Sequence, residues 1–153
     1  MTDRTVLVTG VVGGIGAAIA TRLAADGAKV IVSDLPGEAL QDAAAQLGLP
    51  AAAADLGDPD AVRAMVQKIA TDFSSPDILV NAAGGVGNQV GTPLEGVSPE
   101  AWRHIFAINV DATLYLSQAL VPAMKTAGWG RIVTISSGAG LRPSLTGIHA
   151  YTA

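Results

Sequence analysis

Short runs of β-branched and aliphatic residues alternate along the chain with longer, alanine-rich stretches. The runs at 5–8 (Thr-Val-Leu-Val), 29–32 (Lys-Val-Ile-Val), 77–80 (Asp-Ile-Leu-Val) and 131–135 (Arg-Ile-Val-Thr-Ile) are too brief for helices and lack polar alternation. Such continuous apolar runs predict strands buried on both faces. A weaker strand is expected at 50–54, mainly from its place in the alternation. Between the runs, apolar residues recur at helical spacing and predict helices over 14–25, 38–46 and 58–73. A long fourth helix should run from Ser98-Pro99 to just before Gly128. Asp58-Pro59 and Ser98-Pro99 both suit a helix start, because Asp or Ser caps free N–H groups and proline fits the first turn. Residues 138–150 read as a loop, with a new helix beginning at the last few positions. Strand-helix alternation of this kind gives an α/β fold, a doubly wound parallel sheet with helices on both faces. One domain spans 1–153, with no internal repeat and no linker.

Composition narrows the function classes. Half of the 153 residues are hydrophobic and only 14% are charged. That is ample material for a core and sparse surface charge for a small domain, so part of the apolar surface is expected to be covered by more protein. The net charge is −4 and there is no basic run, which argues against nucleic acid or anionic lipid as partners. The absence of cysteine excludes disulfides, thiolate catalysis and cysteine-ligated zinc; no metal site is expected. No signal peptide and no run of 18 uninterrupted apolar residues is found, and the reading is a cytoplasmic protein without a membrane partner.

The chemistry gathers where strands end. Thr9-Gly10-Val11-Val12-Gly13-Gly14-Ile15-Gly16 joins the first strand to the first helix. Glycines at 10, 14 and 16 suit a tight turn, close approach to a pyrophosphate, and packing of helix on strand. The helix N-terminus would offer free N–H groups and a positive dipole end to phosphates. With no Gly-Lys-Ser/Thr, a P-loop nucleotidase is disfavoured. Asp34 stands just past the second strand, where a carboxylate can accept from the adenosine ribose hydroxyls and repel a 2′-phosphate. Leu35, Val11, Val12 and Gly13 carry no compensating positive charge, so NAD is favoured over NADP. Asp55-Leu56 follows the third strand, where an adenine edge could lie; a plain turn role for Asp55 is equally open.

Asn81-Ala82-Ala83-Gly84 follows the fourth strand, and its small residues let a cofactor lie close to the backbone. Asn81 could equally tie neighbouring strands together. On the long helix Trp102, Ile105, Asn109, Ala112 and Leu116 share one face, which should pack on the sheet. A polar Asn109 in that stripe needs a partner or a buried water. Ser136 and Ser137 close the fifth strand, at the carboxyl edge where open parallel sheets bind ligands. Tyr151 comes 14 residues after Ser137. A tyrosine exchanges protons near neutral pH only where a nearby cation pulls its pKa well down from about 10. A serine hydroxyl can hold a substrate oxygen and stabilise charge developing on it.

Taken together and in this order, the glycine loop, Asp34, Asp55-Leu56, Asn81-Ala-Ala-Gly84, Asn109-Val110, Ser136-Ser137 and Tyr151 resemble the classical short-chain dehydrogenase/reductase family over the whole chain. The resemblance implies a Rossmann fold, truncated here after about five strands, and reversible hydride transfer between nicotinamide and an alcohol or carbonyl substrate. It implies Ser137 as the substrate-orienting serine, with Ser136 the second choice, and Tyr151 as general acid/base. Asn109 would hold a water of the proton relay. Gly10, Val12, Gly13, Gly14, Ile15 and Gly16 would form the pyrophosphate site, Asp34 and Leu35 the ribose site, and Asp55 and Leu56 the adenine site. Asn81, Ala82, Ala83 and Gly84 would lie beside the nicotinamide-side ribose, with Tyr151. Family members are commonly tetramers, so a homo-oligomer, dimer or tetramer, is expected of the complete protein.

The family's motif is Tyr-x-x-x-Lys, and the sequence closes at Ala153, two residues short of that lysine. The domain is therefore expected to be incomplete at its C-terminal end, an amino-terminal portion of a longer oxidoreductase. The competing reading is a catalytically inactive dinucleotide-binding fragment or pseudo-enzyme. An extended, nucleotide-sugar-modifying relative is disfavoured by the glycine spacing. The substrate itself is not legible: the loops 85–96 and 138–149 carry few charges, Glu95 and Arg142 among them, which fits a neutral or apolar alcohol or ketone. His104 and His149 are given structural or surface roles. The fifth strand would be an open, apolar sheet edge, which invites pairing with other chains.

Overall fold

A computed structural model describes residues 2–141 and 146–153. Five strands form one parallel sheet: β1 (Thr5–Thr9), β2 (Lys29–Asp34), β3 (Ala51–Ala53), β4 (Ile78–Asn81) and β5 (Arg131–Thr134). Their order is β3-β2-β1-β4-β5. The chain winds outward from β1 in one direction to β3, then returns to β4 on its other side. The direction reverses between β1 and β4, which is the switch point where open α/β sheets bind ligands. The helices are α1 (Gly14–Ala25), α2 (Glu38–Leu47), α3 (Pro59–Asp72), α4 (Pro99–Phe106), α5 (Ala112–Thr126) and a short α6 (His149–Thr152).

β1, β2 and β4 are mainly apolar because both faces are covered; β5, expected to be buried on both faces, is instead exposed along its length. Side chains alternate along a strand, so each face draws a different set. Val6, Val8, Val30, Val32, Ile78 and Val80 pack with Ala20 of α1 and with Leu40 and Ala44 of α2. Leu7, Ile31 and Leu79 point the other way and pack with Val62, Met65, Val66 and Ile69 of α3 and with Ala112, Leu116, Leu120 and Met124 of α5. The helix 99–126 is long and apolar enough to match a membrane span by composition. Its α5 part sends Ala112, Leu116, Leu120 and Met124 into this core.

The expected helix starts are found: Asp58 accepts from Asp60 N and Ser98 from Ala101 N, each followed by proline. Three expectations need correction. The third strand is only Ala51–Ala53, half open to solvent at the sheet's edge. The fourth begins at Ile78, because the Asp77 carboxylate turns back to accept from Thr5 N and from the Arg4 guanidinium. The long helix is not uniform: a π turn, Ala107–Asp111, separates α4 from α5. Trp102, expected on the sheet, is 37% exposed and stacks on Phe106 at 5.3 Å. The reason is that α4 packs against α6 and the π turn, with no strand beneath it. Gly138–Leu141, expected as loop, forms a 3-10 turn, and α6 starts at His149. Arg142 and its neighbours to 145 lie outside the described residues. Strand β5 lies at the other edge, with Ile132 and Val133 40% and 49% exposed.

Candidate active site

Two clefts open side by side at the carboxyl ends of the strands. The first, about 400 Å³, is walled by Gly10, Val12 and Gly13 of the glycine loop, by Asp34 and Leu35 after β2, and by Ala54, Asp55 and Leu56 after β3. Ala82, Ala83 and Gly84 after β4 close one side, and His104 and Ile108 the other. Backbone geometry builds this cleft. Gly10 has φ +72°, and a Cβ there would stand 2.6 Å from the backbone of Ala82 and Ala83. Only glycine allows the β1 and β4 ends to come so close. Thr9 seals the same junction: its buried hydroxyl accepts from both Ala82 N and Ala83 N at 3.2 Å.

Asp34 is more tightly held than a solvated turn residue. Its carboxylate accepts from Val12 N and from Leu35 N, each at 2.9 Å, which binds the end of β2 to the glycine loop. Helix α1 starts at Gly14 with no side-chain cap. Its first N–H groups are therefore the kind of free donors that receive an anion. Gly14 and Ile15 are exposed at this start, while Gly16 is buried against Gly10. Asp55 caps its own turn by accepting from Gly57 N. Asn81 lies behind the cleft wall: it is buried, and its amide donates to Thr134 Oγ1 at 3.2 Å, tying β4 to β5. Its Oδ1 is buried with no protein donor.

The second cleft, about 290 Å³, is lined by Ser136, Ser137, Asn109 and Tyr151, with Ile105, Phe106 and Ile135 among its apolar walls. Ser137 ends the strand region and starts the 3-10 turn by accepting from Ala139 N at 3.1 Å. Tyr151 arrives from α6. Asn109 sits within the π turn, a distortion common at functional positions. Its Nδ2 donates to Gly85 O and Ile105 O, and its Oδ1 accepts from Gly85 N, all within 2.9 Å. The expected relay role thus meets a side chain whose two donors are already committed to protein. Only one lone pair of Oδ1 is left for a water.

The three predicted catalytic residues converge in one cleft, and Gly10, Val12, Gly13, Asp34, Leu35, Asp55, Leu56 and Ala82 to Gly84 converge in its neighbour. The sequence reading did not single out Thr9, Ile108 or His104 for the first cleft. Ile108 and His104 were hidden because the π turn, invisible to propensity, sets which helix positions face the loops. Thr9 was visible in the motif, but its double acceptor role needed the β1–β4 register.

A parallel sheet with this strand order and a glycine-rich turn at the switch point defines a Rossmann-type α/β domain. A family description, short chain dehydrogenase, matches residues 4–153, and the chain belongs to that family. It is 40% identical over 136 residues to D-threitol dehydrogenase of Mycolicibacterium smegmatis, covering 86% of this chain and 51% of that protein. The fold is similar to that of serine dehydrogenase from Escherichia coli, with TM-score 0.85 and 32% identity over 97% of this chain and 68% of the other. It is also similar to a structure named ribose-5-phosphate isomerase from Brucella melitensis 16M, with TM-score 0.89 and 31% identity over 99% and 58%. The chain spans about half the length of the curated relatives it matches.

Proposed function

We propose that the chain forms the cofactor-binding and proton-transfer part of an NAD(H)-dependent oxidoreductase that interconverts an alcohol and a ketone or aldehyde. The observation that carries this reading is the adjacency of the two clefts: one shaped by backbone for a dinucleotide, the other lined by Ser137, Tyr151 and Asn109. The glycine loop and the uncapped start of α1 would hold the pyrophosphate. Asp34 would accept from the adenosine ribose, and its negative charge disfavours a 2′-phosphate. Asp55, Leu56 and Ile108 would border the adenine. Ala82 to Gly84 would let the cofactor cross the strand ends towards Tyr151.

When bound, the nicotinamide supplies the hydride acceptor or donor. The chain's own residues handle the proton and the oxygen. Ser137 donates its hydroxyl hydrogen to the substrate oxygen and fixes it near Tyr151. Tyr151 takes the alcohol proton in oxidation and returns it in reduction. Asn109 holds the loop at Gly85, next to Gly84 of the first cleft. The names of the relatives support a small alcohol-bearing substrate. The cytoplasmic location and a homo-oligomeric assembly belong to the same reading.

The test uses the protein as its gene produces it, with a panel of primary and secondary alcohols and NAD, read by nicotinamide absorbance. The reading predicts turnover with at least one alcohol, and a kcat at least about 100-fold lower in Tyr151→Phe with NAD affinity unchanged. Tyr151→Phe with nearly full kcat would remove Tyr151 as the acid/base.

A further inference from the structure

Residues 85–92 form a strap without helix or strand between β4 and α4. Three tethers set its path. At Gly85 it is held by the Asn109 amide on both its N–H and its C=O. At Gln89 the buried amide donates to Ala101 O at 2.9 Å. At its far end Gly91 N donates to Thr146 O at 2.7 Å, and the His149 Nε2 lies 3.2 Å from Thr92 O. A carbonyl only accepts, so the ring nitrogen at this contact is the protonated one.

His149 is also the first residue of α6, two positions before Tyr151. The first turn of the helix is closed by Tyr151 N and Thr152 N on Ile148 O and by Thr152 Oγ1 on His149 O. Where that first turn is held decides where Tyr151, two residues on, stands. We propose that His149 is a positioning residue for Tyr151: by gripping Thr92 O it locks α6 to the strap, which Asn109 holds at its other end. Asn109 and Tyr151, both lining the second cleft, are thereby linked through one run of backbone. Gly147 shows how close that clasp is. A Cβ there would stand 2.6 Å from Thr92 O and 2.8 Å from Thr92 N, at a φ of +66°.

The inference rests on the proposed acid/base role of Tyr151, and its test separates the two. His149→Phe keeps ring bulk and removes the donor. His149→Gln replaces the Nε2 donor at similar reach. Hydrogen exchange, read without any turnover, should show faster exchange over residues 85–92 in His149→Phe, with protection restored in His149→Gln. In the same proteins kcat should fall about tenfold in His149→Phe, recover in His149→Gln, and leave NAD affinity unchanged, because the first cleft is not part of the clasp. Unchanged exchange in the strap of His149→Phe would overturn the clasp. A loosened strap with unchanged kcat, in a protein whose Tyr151→Phe variant is inactive, would overturn the positioning role alone. Should His149→Phe fail to fold, Gly147→Ala presses on the clasp from the other side, and an undisturbed strap and kcat in that variant would count against the proposal equally.

Discussion

The two clefts lie on one sheet edge but are made in different ways. The first is a backbone structure. Gly10 passes the Ala82 and Ala83 backbone at a distance no side chain permits, Thr9 pins both their N–H groups, and Asp34 bonds the loop's own amides. The second is a side-chain structure. It is assembled beyond the exposed edge strand β5, from the π turn and from the start of α6. A site fixed by backbone close approach tolerates few substitutions at the approach and many around it. A site assembled from side chains on separate segments depends instead on the tethers between them. The contrast predicts that mutations at the backbone approach of the first cleft act on folding and binding together, while those of the hydroxyl side chains in the second act on turnover.

The largest effect should come from breaking the backbone approach. Gly10→Ala combines a left-handed φ with a main-chain overlap and should cost at least about 3 kcal/mol of stability. Denaturant unfolding, with NAD binding measured alongside, checks this; a variant of near-native stability would mean that the β1–β4 junction is looser than the structure has it. In the second cleft Ser137→Ala should lower kcat about 100-fold with little change in melting temperature. Ser136→Ala should stay within about twofold. Equal losses in both would mean that the cleft does not distinguish the two hydroxyls.

Asn109→Ala joins the two modes, since it leaves the strap's Gly85 N–H and C=O without partners. A loss of about 1–3 kcal/mol in thermal or chemical unfolding is expected, together with a lower kcat. Retained stability would place Gly85 in contact with water rather than with the amide. A smaller effect still on stability is expected from Asp34→Ala. The Val12 and Leu35 N–H groups are near solvent and can turn to water, so folding should change little. The NAD/NADP ratio of kcat/KM should fall about tenfold, or roughly 1.4 kcal/mol. An unchanged ratio would leave Asp34 with only its loop-bracing role.

What was legible in the sequence follows the same division. The strands β1, β2 and β4 announce themselves because burial on both faces favours runs of aliphatic residues, β5 by its β-branched run although it is exposed, and the glycine spacing marks the first cleft because only glycine meets its backbone demand. Strand β3 is three alanines at an edge, where neither burial nor β-branching gives a signal, so its ends were overestimated. The π turn left no trace, since its residues Ala-Ile-Asn-Val-Asp are ordinary helix company and the extra residue per turn answers to contacts with the strap. The strap's tethers were hidden for a related reason. They pair Gly91 with Thr146 through main-chain atoms and Thr92 O with the His149 ring, more than fifty positions apart. His149 accordingly reads as a surface histidine until the strap is seen beside it.

The most direct test of the central claim is a calorimetric titration of the protein with NAD and, separately, with NADP. The first cleft as built, with Asp34 on its wall and no basic side chain among its lining residues apart from the neighbouring imidazole of His104, predicts saturable one-to-one binding of NAD at least about tenfold tighter than NADP. Absence of NAD binding at millimolar concentration, or equal affinity for the two, would contradict the assignment.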